Sequence, residues 1–152
     1  DISFTKRVTV LTRGQKLKIL NEDSIIHNIF STSKAKSFDI GMNAPDTSKE
    51  IKFDKTGIVK VHCNIHPNMK SNILVLPNNL YSKTNEKGEY SIKNIPPGKY
   101  KIYVWHEHSK PISKKFRIKE GKRLLKNWKI KLTKKTKKHL NKFGRPYQNS
   151  GY

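Results

Sequence analysis

The chain has 152 residues, with 33 Lys or Arg against 11 Asp or Glu and a formal charge of +22 at pH 7. No apolar run approaches the ~20 residues of a membrane span, and a single cysteine excludes an internal disulfide framework. Charge of this size and sign implies an acidic partner: nucleic acid, an anionic membrane surface or a carboxylate-rich protein face.

The charge is uneven. Residues 1–77 carry 12 basic and 7 acidic side chains, residues 78–132 carry 15 and 4, and residues 133–152 carry 6 and none. The chain starts at Asp1 with no signal-peptide pattern, which fits a processed, secreted form and equally a sequence trimmed at that point.

Short alternating runs dominate the first half. Val8 and Val10 alternate with polar residues, Arg13-Gly14 marks a turn, and Leu17 and Ile19 alternate until Asn21-Glu22-Asp23. Ile25, His27 and Ile29 share one strand face, Ser31 to Ser37 reads as a polar loop, and Phe38 and Ile40 follow before Gly41 and Pro45. Ile51 and Phe53 make a brief strand, and Gly57 turns the chain into Val59, Val61 and Cys63, all pointing inward. The turn Asn64 to Met69 contains Pro67, and Ile73 and Val75 form a last strand. No segment has a helical period, so the pattern is that of an antiparallel sandwich.

Pro77-Asn78-Asn79 is the expected boundary. Beyond it, turn signals at Asn85–Gly88, Ile95–Gly98 and Lys119–Lys122 separate alternating runs at Tyr90/Ile92, Tyr100/Ile102/Val104, Phe116/Ile118 and Trp128/Ile130/Leu132. The expected fold is therefore all-β: a small antiparallel β-sandwich over 1–77, a second short β-sandwich module over 78–132, and a basic tail over 133–152, disordered or draped on the surface.

The chemistry concentrates in Val59–Met69. Cys63, His66 and Met69 follow one another at intervals of three, so a tight turn after a strand brings them around one point. His27 on a neighbouring strand supplies the fourth direction. One thiolate, two imidazoles and one thioether are the donor set of a blue-copper site, in which soft ligands suit Cu(I) and nitrogens suit Cu(II). Asn28 is placed to hydrogen-bond across to the turn and tie the two ligand segments together. Zinc accepts Cys and His, but a thioether argues against it. Met42 is the other sulfur that could serve as axial ligand.

Several residues resemble those of a cupredoxin of the plastocyanin-like group: Gly14 with the strand Lys16–Asn21, His27-Asn28-Ile29-Phe30-Ser31, Phe38-Asp39-Ile40-Gly41, and Gly57 leading to Cys63-Asn64-Ile65-His66-Pro67-Asn68-Met69. The resemblance implies type 1 copper, one ion, held by His27, Cys63, His66 and Met69. The loop between His66 and Met69 is shorter than in plastocyanins. Residues 79–131 resemble a carboxypeptidase-regulatory-like β-module, on Thr84–Ile92, Ile95–Tyr100 and Val104-Trp105-His106-Glu107. That pairing implies a periplasmic or otherwise extracytoplasmic electron carrier and nothing catalytic. The expected partners are acidic redox proteins such as a c-type cytochrome or an oxidoreductase complex, with no specific nucleic acid and with peripheral contact to an anionic membrane surface as a further expectation.

Other readings are weaker. A copper carrier, or a polyanion-binding module using the basic half, is the alternative function. His106 and His108 form an H-x-H pair that could hold a second metal, which is thin support for a copper enzyme. His62 alternates to the face opposite Cys63 and reads as a packing or surface residue. A Cys63–His66 nucleophile pair would leave His27 and Met69 idle.

Overall fold

A computed structural model describes residues 2–133 and 139–147. Among them there is no helix; nine strands account for the regular structure. The described residues of Asp1–Asn79 with Lys138–Tyr152 form one compact unit, and those of Leu80–Lys137 another.

The first unit contains β1 (Val8–Thr12), β2 (Lys16–Leu20), β3 (His27–Ser33), β4 (Lys36–Asn43), β5 (Ser48–Lys52), β6 (Gly57–Cys63) and β7 (Lys70–Leu76). One sheet has the order β1-β7-β6-β3-β4, and β2 pairs with β5 in a second. The two sheets bury a common core: Ile29, Val59, Val61, Cys63, Ile73 and Val75 from the first, Ile51 with the following Phe53 from the second. Alternation is the cause. On β6 the side chains of Val59, Val61 and Cys63 are buried while Ile58, Lys60 and His62 face the other way. Phe53 is fully buried and meets Phe38 edge-on at 6.5 Å, a favourable aromatic arrangement.

Three details differ from the sequence reading. The stretch Ser31–Ser37 is a hairpin, not a loop: β3 runs to Ser33 and β4 starts at Lys36. Ser and Thr hydroxyls are tolerated there because Ser31 and Ser37 bond locally, Ser37 Oγ donating to the Ser31 carbonyl at 3.1 Å. The sheet is also not wholly antiparallel, since β1 runs parallel to β7 from Val8↔Asn72 to Thr12↔Leu76. Strand direction depends on the path of the intervening chain and is invisible to alternation.

The third difference lies in the second unit. Among its described residues the regular pairing is one antiparallel pair, β8 (Gly98–Val104) with β9 (Ile112–Ile118). Residues 128–132 are not a strand; Ile130 and Leu132 are exposed. Their alternation with lysine is strand-like, yet they pair with neither strand of the β8–β9 sheet. Trp128 does pack, edge-on to Phe116 at 6.0 Å, with its indole N–H donating to the Tyr90 hydroxyl at 2.9 Å. The Tyr90 hydroxyl in turn donates to the Lys126 carbonyl. On the opposite face of the pair, exposed Lys99 stands across from Arg117, and Lys101 from Lys115.

The tail expected over 133–152 is ordered where it is described. Residues 139–147 belong to the first unit and are hydrogen-bonded to it. Positions 134–138 and 148–152 lie outside the described residues.

Candidate metal centre

Strand β3 delivers His27 and strand β6 delivers Cys63, and the two strands pair with Ile29 opposite Cys63. The turn after β6 is closed by Cys63 N–H to the Met69 carbonyl at 3.1 Å and Met69 N–H to the His66 carbonyl at 3.0 Å. This returns His66 over the end of the strand. His27 and Cys63 are buried, at 2% and 0% exposure, while His66 is half-buried.

The three donor atoms converge. His27 Nδ1 lies 3.1 Å from His66 Nδ1, and Cys63 Sγ lies 3.8 Å from the first and 3.5 Å from the second. A point equidistant from three atoms so spaced is about 2 Å from each, the length of a metal–nitrogen bond and a little under the ~2.3 Å of a metal–sulfur bond. Among the described residues these three form the one cluster of this kind.

Met69 is buried at 5% in the core and borders, with His27, a cavity of about 90 Å³. Its backbone is bonded to both Cys63 and His66. Met42 is 64% exposed on β4, so its sulfur points to solvent rather than toward the cluster.

The surroundings fix the first histidine. Asp23 Oδ2 lies 2.8 Å from His27 Nε2, which reserves that nitrogen and leaves Nδ1 facing the thiol. The carboxylate is held by a turn built on Asn21. The buried Asn21 amide donates to the carbonyls of Ile25 at 2.8 Å and Asn43 at 2.9 Å, and its Oδ1 accepts from Asp23 N–H at 3.1 Å. Burial, then the positive charge available on His27, lowers the His66 pKa, with Asp23 acting in the opposite sense. The neutral imidazole is thus the favoured form of His66.

Asn28 bonds across to the turn through its backbone rather than its side chain. Its side chain donates to Asp39 and to the Gly41 carbonyl on β4. The tie is made instead by its backbone, whose carbonyl accepts from Asn64 N–H at 2.8 Å. Burial opposes ionisation of Asp39, but the Lys142 ammonium, Gly41 N–H and the Asn28 amide outweigh it and lower its pKa.

His62 packs, as its position on β6 implies. It stacks on His139 with ring centroids 4.1 Å apart at 27°, and lies 5.8 Å from Phe30. Burial and nearby positive charge push the His62 pKa down to about 4. Its Nδ1 and His139 Nε2 are buried without hydrogen-bond partners. In the second unit, His106 Nδ1 accepts from His108 N–H and His108 Nε2 sits 3.5 Å from Glu107, while His108 Nδ1 is buried without a hydrogen-bond partner.

Two groups of residues escaped the sequence reading. Asp23 had a signal, four residues before His27 in an evident turn. Tyr147, whose hydroxyl donates to the Cys63 carbonyl at 2.8 Å, had none beyond being an aromatic after Pro146 in a basic stretch. Burial, and then the nearby Cys63, push its pKa up to about 12, keeping the phenol a donor.

No family model matches this sequence, and no curated protein matches it. Among solved structures, a reduced mutant of amicyanin is 17% identical, covering 49% of this chain and 73% of that chain with a TM-score of 0.46. A Cu(I) mutant of amicyanin is 16% identical over the same shares, also at 0.46. A copper-containing nitrite reductase from Thermus scotoductus is 25% identical, covering 48% of this chain and 20% of that one at 0.46. Each match takes in about half of the present chain.

Proposed function

We propose that the chain is an electron-transfer protein with one type 1 copper ion, bound by His27, Cys63, His66 and Met69. The observation that carries the reading is the convergence of a buried thiol and two imidazole Nδ1 atoms within 3.1–3.8 Å. Those donors fit copper, with a thioether-bearing side chain buried alongside. Copper so held supplies a one-electron couple.

The residues of the chain do the rest. Asp23 holds His27 in one tautomer, so its Nδ1 lone pair faces inward. Cys63 and His27 stand on paired strands, which limits their movement between oxidation states. His66, on the half-exposed turn, is the route by which an electron reaches the surface. The basic second unit steers an acidic redox partner, such as a c-type cytochrome or an oxidoreductase complex, by long-range attraction. The protein works as a carrier rather than an enzyme, in a periplasmic or other extracytoplasmic setting.

Optical and EPR spectra of the Cu(II)-loaded protein test this directly. An intense visible thiolate charge-transfer band, lost in Cys63→Ser, is expected. Copper-loaded protein without such a band would end the reading, and tight Cu(I) binding without electron exchange with a cytochrome would make it a copper carrier.

A further inference from the structure

Residues 139–147 are attached to the first unit at places that matter for the ligands. The segment carries its own turn: the Asn141 side chain accepts from Phe143 N–H and Arg145 N–H, both at 3.0 Å, and Asn141 N–H donates to the Arg145 carbonyl at 2.8 Å. Gly144, at φ +73°, supplies the left-handed residue this turn requires. The turn presents Lys142, whose N–H donates to Asn64 Oδ1 at 3.0 Å and whose ammonium meets Asp39 at 2.6 Å. Pro146 then leads to Tyr147 and its bond to the Cys63 carbonyl. Upstream, His139 covers His62 and lies 6.4 Å from Phe30. This explains why Phe30, on the opposite face of β3 from the core residue Ile29, is only 2% exposed.

The peptide joining Cys63 to Asn64 is therefore held at both polar atoms: the carbonyl by Tyr147, the N–H by the Asn28 carbonyl. Rotation of that peptide would swing the thiol-bearing residue relative to His66. We propose that the C-terminal segment is a built part of the metal centre, with Tyr147 a positioning residue for Cys63 and the ligand turn. The inference rests on reading His27, Cys63 and His66 as metal ligands. A segment 84 residues away in sequence thereby shares in setting the geometry of the cluster.

The test uses the full chain carrying Tyr147→Phe, which removes one hydroxyl, and separately Asn141→Ala, which loosens the turn. In the metal-free protein, hydrogen exchange at the Asn64 amide and alkylation of Cys63 by iodoacetamide should each quicken about fivefold in Tyr147→Phe, the factor of one ordinary net hydrogen bond. Asn141→Ala should change both in the same direction. In the copper-loaded protein, Tyr147→Phe should lower the reduction potential, because an O–H dipole with its positive end toward the cysteine is removed. Unchanged exchange and alkylation in both variants would overturn the proposal and make the segment a passive cover. If Tyr147→Phe does not fold, the same metal-free measurements on Asn141→Ala decide. If the unaltered chain shows no thiolate band with copper, the copper reading fails alone, and the metal-free arms still judge the role of Tyr147.

Discussion

Asp23 sets the orientation of His27, and little else competes for that role. It is an exposed turn carboxylate with one buried partner, and its contact decides which nitrogen of His27 faces Cys63. Asp23→Ala should lower metal affinity 10- to 100-fold, the usual consequence of removing such a support; competition titration with a chelator measures it. The His62–His139 stack makes a separate prediction for the metal-free protein. Both imidazoles titrate below the ordinary histidine value of 6.5, chiefly through burial, His62 at about 4. Between those values the unfolded chain binds protons that the fold refuses, so stability rises with pH there and is lost on acidification from about 6.5 toward 4. Urea midpoints across that range should fall with acid, and His139→Gln should flatten the curve. At this scale the sequence was most informative where partners are close along the chain. Cys63, His66 and Met69 stand at regular intervals around a proline turn, and their grouping follows from local geometry. Asp23 was within reach of the same logic. His139 and Tyr147 were not, because nothing local distinguishes a tail aromatic that folds back from one that does not.

At the scale of elements, the β3–β4 hairpin meets the start of β6 at a tight point. Gly57 has φ +143°, and a Cβ there would stand 2.9 Å from the Ala35 Cβ in the hairpin turn. Gly57→Ala should therefore destabilise the fold by about 1–3 kcal/mol, read as a lower thermal midpoint. Adding Ala35→Gly should restore part of that loss by relieving the contact, while the backbone strain persists. Strand positions in the first unit were legible from alternation because one face of each strand is buried against a core. Alternation misread Ser31–Ser37, where polar residues occupy a hairpin at the sheet edge, and Trp128–Leu132, where an alternating run leaves Ile130 and Leu132 exposed and pairs with no strand. It also carried no information on the direction of β1, whose parallel course depends on where the chain has travelled before it returns.

Across the whole molecule, half of the excess of positive charge sits in residues 78–132. Lys99 faces Arg117 and Lys101 faces Lys115 across β8 and β9, and like charges directly opposite one another oppose pairing. Lys115→Glu should raise the denaturation midpoint of the metal-free protein at low salt by the equivalent of about 0.2–1 kcal/mol. The gain should shrink in 1 M salt as screening closes to about 3 Å. If the proposed electron-transfer role holds, the same screening should slow association with the acidic redox partner it implies.

The parallel pairing of β1 with β7 has a kinetic consequence. The β6–β7 hairpin, which contains the cysteine turn, closes over a few residues, whereas β1 must wait for the chain between Thr12 and Lys70 to be placed before it can dock. Contacts of long sequence separation carry the larger closure cost and form later. In pulsed hydrogen exchange during refolding, amides of Val59 and Val61 should gain protection before those of Val8 and Val10. The turn bearing Cys63, His66 and Met69 would then be formed while the first strand is still free, so its side chains come together before the sheet is complete.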